Sequence, residues 1–172
     1  MRSRLRVIIA HLLYSVNSSA RRCPADEPLV WARPYGDSVT NDASALIGYQ
    51  QRARWLDEEV LTLADVWPDE PRAMIVGLNP APKSVAIGHY YQGASGRCQL
   101  LRLADAGLLQ VPAQGTFFEE AALTAGVGFT DLVKRPTRGE GDLAPAELAY
   151  GRTSLMDALR AREVPLVVCV FR

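Results

Sequence analysis

Three short stretches of the 172-residue chain combine residue types suited to chemistry. The first, Gly77-Leu78-Asn79-Pro80-Ala81-Pro82-Lys83-Ser84, sets an amide side chain directly after an apolar run and stiffens it with two prolines. An Asn held in this way suits the orientation of a small molecule or a water, because its oxygen accepts a hydrogen bond but takes no proton near neutral pH. The second, Gly88-His89-Tyr90-Tyr91-Gln92-Gly93, offers aromatic faces and a histidine donor, and Gly96-Arg97 then opens a helical pattern. The third, Lys134-Arg135-Pro136-Thr137-Arg138, is a basic cluster of the kind that contacts phosphates. An ordinary Asn-Pro turn and a solvated basic loop are the plain alternatives for the first and third stretches.

Metal chemistry is not expected. Cys23, Cys98 and Cys169 are odd in number and far apart, no CxxC pair exists, and neither His11 nor His89 lies near a cysteine. The ligand count excludes a zinc ribbon or a four-cysteine cluster, so each cysteine reads as a small buried residue or a free thiol. No cofactor is expected either. No G-x-G-x-x-G or P-loop pattern follows a strand, which disfavours an unrelated nucleotide-binding module.

The elements that must position these stretches follow from the apolar runs. Ala73–Gly77, Val127–Val133 and Leu166–Phe171 are short continuous apolar segments, the pattern of parallel strands buried on both faces. Helical patterns lie between them, over Arg97–Leu109, over Phe117–Ala125 and after Pro145, where Asp142 is placed to cap and Leu148, Leu155, Met156 and Leu159 form an apolar stripe. Strands alternating with helices predict an α/β domain, a parallel sheet between helical layers. Ligands bind such sheets beyond the carboxyl ends of the strands, where the Asn79 loop and the Lys134–Arg138 loop both emerge.

The rest of the chain divides by charge. Residues 1–25 hold five Arg and no acid, which leaves 14 basic against 19 acidic groups elsewhere although the whole chain is neutral. A uniformly basic, DNA-coating protein is thereby excluded; contact with nucleic acid requires a local rim. The basic segment reads as a leader or a disordered extension, with a secretory signal or organelle targeting by residues 1–22 as the competing readings. Its apolar run is too short to span a membrane. Residues 26–72 read as an acidic extension with ten acids and four Arg; Ser44 to Ala64 is read as helical, with Trp55, Val60, Leu61 and Leu63 available for packing.

Taken in order, Gly77-Leu78-Asn79-Pro80, the aromatic Tyr91, Arg97, and Gly128-Phe129-Thr130-Asp131-Leu132-Val133-Lys134-Arg135-Pro136-Thr137 resemble the mismatch-specific uracil/thymine DNA glycosylases of the uracil-DNA glycosylase superfamily. The match covers roughly residues 71–171 and makes residues 73–172 a partial glycosylase-like domain. The resemblance implies double-stranded DNA holding a mismatched or damaged pyrimidine as substrate, and a base flipped out of the stack. Asn79 then matches the asparagine that orients the attacking water. Gly77, Leu78, Pro80, Ala81, Tyr91 and His89 would line the base, with Tyr91 as stacking platform. Lys83, Ser84, Arg97, Lys134, Arg135 and Arg138 would meet DNA phosphates. A monomer without membrane association, cytoplasmic and close to the nucleoid, is the corresponding expectation.

The chain departs from the family pattern twice. Ala81 stands where the family usually has Gly, and its methyl either crowds the base, thymine more than uracil, or reshapes the loop. No segment matches the family's last strand and second catalytic loop. The expected fold is therefore a three-layer parallel sheet that lacks both, with an open apolar edge along Leu166–Phe171. A non-catalytic remnant that binds DNA or a partner weakly is the competing function.

Overall fold

The computed structural model describes residues 6–9, 45–113 and 116–171. In chain order these form β1 (Arg6–Ile9), β2 (Gln50–Trp55), β3 (Glu58–Leu63), β4 (Ala73–Gly77), α1 (Pro82–Ile87), α2 (Ala94–Asp105), α3 (Phe118–Thr124), β5 (Val127–Asp131), α4 (Pro145–Ala161) and β6 (Leu166–Cys169). The sheet runs β1-β6-β4-β5 with every pairing parallel. The three strands expected from their apolar runs are thus β4, β5 and β6, with helices between them.

Alternation along the strands sorts side chains onto two faces. Ala73, Ile75, Val127 and Phe129 pack with Leu100 and Leu103 of α2 and Phe118 and Ala122 of α3. Met74, Val76 and Val167 pack on the other face with Leu159, against which Leu155 and Met156 close. Both β4 and β5 are buried at every position, which is why β4 is apolar throughout and β5 is apolar up to Phe129, with Thr130 and Asp131 buried at its end.

Three sequence expectations are corrected here. Of the stretch Ser44 to Ala64, expected to be helical, residues 45–64 are described, and over them β2 and β3 instead form an antiparallel hairpin, with Arg52 opposite Leu61 and Arg54 opposite Glu59. A two-residue turn closes it, where Leu56 adopts φ 52°. Leu63 and Val66 lie in the same core as Phe129, and Val66 bridges Phe129 through its backbone, so this part of the acidic segment is packed into the domain. The edge of β6 is not open either. Arg6–Ile9, read as part of a leader, runs parallel to Leu166–Cys169 and covers it; the remainder of residues 1–25 lies outside the described residues. The hydrogen-bonding need of an apolar strand edge decides this placement more strongly than local composition.

Smaller corrections concern α4 and the cysteines. The cap of α4 is Ala144, not Asp142, and the Glu147 carboxylate reaches back to the Ala144 N–H at 3.0 Å. Cys98 is disulfide-bonded, whereas Cys169 carries a free thiol. Among the described residues no helix is long and apolar enough to cross a membrane.

Candidate active site at the carboxyl ends of the strands

The ends of β4 and β5 are joined beyond the sheet by continued backbone pairing. Leu132 N–H donates to the Gly77 carbonyl at 2.8 Å and Val133 N–H to the Leu78 carbonyl at 2.8 Å. This zipper brings the Asn79 loop and the Arg135-Pro136-Thr137 loop together. Asn79 Nδ2 donates to Thr137 Oγ1 at 2.8 Å and also faces the carbonyls of Arg135 at 3.4 Å and Pro80 at 3.5 Å. Thr137 in turn gives its hydroxyl proton to the Gly139 carbonyl at 2.7 Å, so toward Asn79 it can only accept. Three acceptors surround one end of the amide, and only the NH₂ group satisfies them. The amide is therefore locked with Oδ1 turned away, available as an acceptor.

Asp131, at the end of β5, is opposite Gly77 in register and 5% exposed. A Cβ on Gly77 would lie 2.1 Å from Asp131 Oδ1 and 3.1 Å from Tyr91 Oη, so glycine at the end of β4 makes room for both groups. Burial pushes the Asp131 carboxyl up to about 7; the Lys134 ammonium opposes the rise and Asp65 adds to it. Tyr91 adopts φ 56°, with its ring tilted on Phe129 and its hydroxyl buried without a hydrogen-bond partner. Burial, then Asp131 and Cys169, hold that hydroxyl well above its ordinary range. A positive φ at a tyrosine is a strained arrangement that packing must sustain, and Gly96 in the first turn of α2 allows the close approach.

The remaining sequence-predicted residues are placed as follows. Pro80 is buried, Leu78 half-buried and Ala81 exposed at the start of α1. Lys83 and Arg138 are exposed, and Arg97 lies in the first turns of α2 with burial lowering its guanidinium. Ser84 is buried, and its hydroxyl accepts from the Gln92 N–H at 3.1 Å, which directs it inward. His89 lies stacked on Phe117 with ring centroids 3.4 Å apart, its Nδ1 3.4 Å from the fully buried Glu119. The Glu119 carboxylate also accepts from the Tyr90 N–H at 2.6 Å, so α3 braces the loop that carries the tyrosines.

Like Ser84, two more of the predicted phosphate contacts have internal partners. Lys134 Nζ donates to Asp65 at 2.5 Å, to Thr130 Oγ1 at 3.0 Å and to the Asp131 carbonyl at 2.9 Å, which accounts for all three ammonium protons. Arg135 grips Glu147 through Nε at 2.8 Å and Nη2 at 2.7 Å, and Nη2 also meets the Asp142 carbonyl at 2.7 Å. The Trp55 indole donates to the same carboxylate at 3.2 Å. This cluster ties the β2–β3 hairpin, the β5 loop and α4 together. The Arg135 hydrogen bonds, foremost among several donors, hold Glu147 down to about 2.

Sequence reasoning missed Thr137 and Asp131 as site residues. Thr137 stood within the matched motif but carries a common hydroxyl whose partner, Asn79, is visible only in space. For Asp131 the signal was present: a lone acid inside the apolar run Val127–Val133. Among the described residues no three His, Cys, Asp or Glu side chains converge to hold a metal.

Fold and site together define an α/β domain with a pre-oriented amide acceptor at the carboxyl ends of its parallel strands. No family model matches the chain. Over 93 residues, 54% of its length, it is 33% identical to a G/U mismatch-specific uracil DNA glycosylase of Schizosaccharomyces pombe. The chain spans 28% of that protein's length. It is thus a partial relative of a uracil DNA glycosylase, and its sheet with flanking helices is compatible with that fold.

Proposed function

We propose that the chain is a DNA glycosylase that hydrolyses the N-glycosidic bond of uracil, and by extension thymine, in G mismatches. The observation that carries this reading is the locked amide of Asn79, supported by the similarity to a G/U mismatch-specific uracil DNA glycosylase. In this reading the pyrimidine nucleotide is flipped from the duplex, because the glycosidic bond is out of reach within the stack. Asn79 Oδ1 accepts a hydrogen bond from a water and holds it toward C1′ of the sugar. The bond between base and C1′ breaks with its electron pair on the base, the water oxygen joins C1′, and the water proton passes to solvent. An amide cannot take that proton, so catalysis rests on positioning and on stabilising the departing base anion, and turnover is slow.

Lys83 and Arg138 are exposed and free to reach phosphates, and Arg97 takes the role the resemblance implies. Lys134 and Arg135 contribute indirectly, by fixing the loops. The test is a duplex with a single U·G pair, incubated with excess protein and then treated with alkali. Strand breaks at the uracil support the reading; an intact strand with folded protein overturns it and leaves the non-catalytic alternative.

A further inference from the structure

The carboxyl group of Glu119 has no part in the reaction as proposed, yet it is fully buried in the first turn of α3. Desolvating a carboxyl group costs stability unless hydrogen bonds offset it, so a position that served packing alone would hold an apolar side chain. Among the described residues its hydrogen bond goes to one backbone group. Oε1 accepts from the Tyr90 N–H at 2.6 Å, while Oε2 is buried without a partner. His89 Nδ1 lies 3.4 Å from the same Oε1. Glu119 thus reaches from α3 to the main chain directly before Tyr91. A second anchor holds the main chain directly after it. The Gln92 N–H donates to the buried Ser84 Oγ at 3.1 Å, and Gln92 Nε2 reaches back to the Tyr90 carbonyl at 2.9 Å. Between the anchors Tyr91 adopts φ 56°, a conformation that persists at a non-glycine residue only when its surroundings over-determine it. Gly96 supplies the space, since a Cβ there would stand 3.0 Å from Tyr91 Cβ and 3.1 Å from Cδ1. Tyr91 is half-buried with its hydroxyl enclosed, so its exposed part lies on the ring and main chain.

We infer that Glu119, with Ser84 as the second anchor, is a positioning residue that holds Tyr91 as the platform for the flipped pyrimidine. This rests on the glycosylase reading, in which the Tyr91 ring stacks on the base. Neither anchor touches the base; each acts through the main chain of the loop. Without the Glu119 carboxyl group the Tyr90 N–H loses its acceptor, and Tyr91 relaxes toward negative φ, which turns its ring out of place. Asn79 keeps its own contacts with Thr137 and Arg135, which do not involve α3. The loss therefore falls on productive binding and leaves the maximal rate.

The test is single-turnover cleavage of a U·G duplex by the full chain and by Glu119→Ala, Glu119→Gln, Ser84→Ala, Tyr91→Ala and the double variant Glu119→Ala/Tyr91→Ala. Duplex affinity is read by fluorescence anisotropy and fold by circular dichroism. Glu119→Ala should raise the half-saturating protein concentration about tenfold, the scale of one base–aromatic stack, with the maximal rate within about twofold of wild type. Glu119→Gln keeps an acceptor for the Tyr90 N–H and should restore wild-type binding. In the Tyr91→Ala background Glu119→Ala should cost nothing more, because it acts through that ring. Ser84→Ala should weaken binding in the same way, and it decides the matter where Glu119→Ala does not fold. Additive losses in the double variant, or unchanged half-saturation in a folded single variant, overturn the inference and leave the glycosylase reading intact. If wild type binds the duplex without cutting it, the glycosylase reading fails and the same cycle in duplex affinity decides the inference: a non-additive loss supports it and an additive one overturns it. Folded wild-type protein that neither binds nor cuts overturns both.

Discussion

Asn79 Nδ2 donates to Thr137 Oγ1 at 2.8 Å across 58 residues of sequence, and this one contact sets which way the amide faces. Thr137 enforces the orientation because its own proton is committed to Gly139. The residue that determines where Asn79 Oδ1 points is therefore one whose type alone signals nothing.

Thr137→Val should keep the fold but remove the acceptor that fixes the amide. Single-turnover cleavage of the U·G duplex should slow by about 10- to 100-fold, since loss of orientation by an ångström has that scale of effect. Thr137→Ser should restore most of the rate. Equal rates in all three proteins would show that the lock has no role.

Asn79→Ala should slow cleavage by at least about 100-fold with little change in duplex affinity. Asn79→Asp should not rescue it, although a carboxylate is the better base. The new oxygen would face Thr137 Oγ1 and the carbonyls of Arg135 and Pro80, all acceptors. A rate for Asn79→Asp above wild type would refute this account.

Glu147→Ala should destabilise the domain by about 2–4 kcal/mol in denaturant unfolding, because it leaves the Arg135 guanidinium and Trp55 N–H without their shared acceptor. The same carboxyl gives an acid-side dependence. Its folded value, about 2, lies below the ordinary 4.5, so its contribution is complete above about pH 4.5 and is lost as pH falls toward 2. Melting temperatures between pH 6 and pH 3 should therefore converge for wild type and Glu147→Gln.

Asp131 acts with the opposite sign. Its folded value, about 7, lies above the ordinary 3.8, so the folded state holds the proton more tightly and stability falls as pH rises from about 4 to 7. The full effect is of the order of a few kcal/mol. Asp131→Asn should raise the melting temperature at pH 8 and change it much less at pH 4. A variant melting below wild type at pH 8 would contradict this.

Gly77→Ala should unfold or strongly weaken the domain, for its methyl would sit 2.1 Å from Asp131 Oδ1. Paired with Asp131→Ala, which vacates that space, the loss should be smaller than for the single Gly77 change. Urea midpoints of the three variants measure the coupling.

Much of the fold was legible because burial on both faces writes itself into composition. Ala73–Gly77 and Val127–Phe129 are apolar and fully buried, and the loops after these strands had to meet at one end of the sheet. The hairpin over residues 50–63 was not legible. Its strands carry polar side chains at most exposed positions, and its anchor, the Trp55 contact with Glu147, spans 92 residues.

The sequence by itself determined that a parallel α/β sheet presents Asn79 and the Arg135–Thr137 loop on the same side, since strand period and loop position leave no other end for them. Only the tertiary structure decided what the neighbouring groups do. It turned Lys134 and Arg135 inward, turned the Asn79 oxygen outward, and set Asp131 beneath Gly77. The physical reason is that hydrogen bonds and desolvation depend on partners brought together across 12 to 69 residues, and a one-dimensional pattern records each group but not the partner it meets.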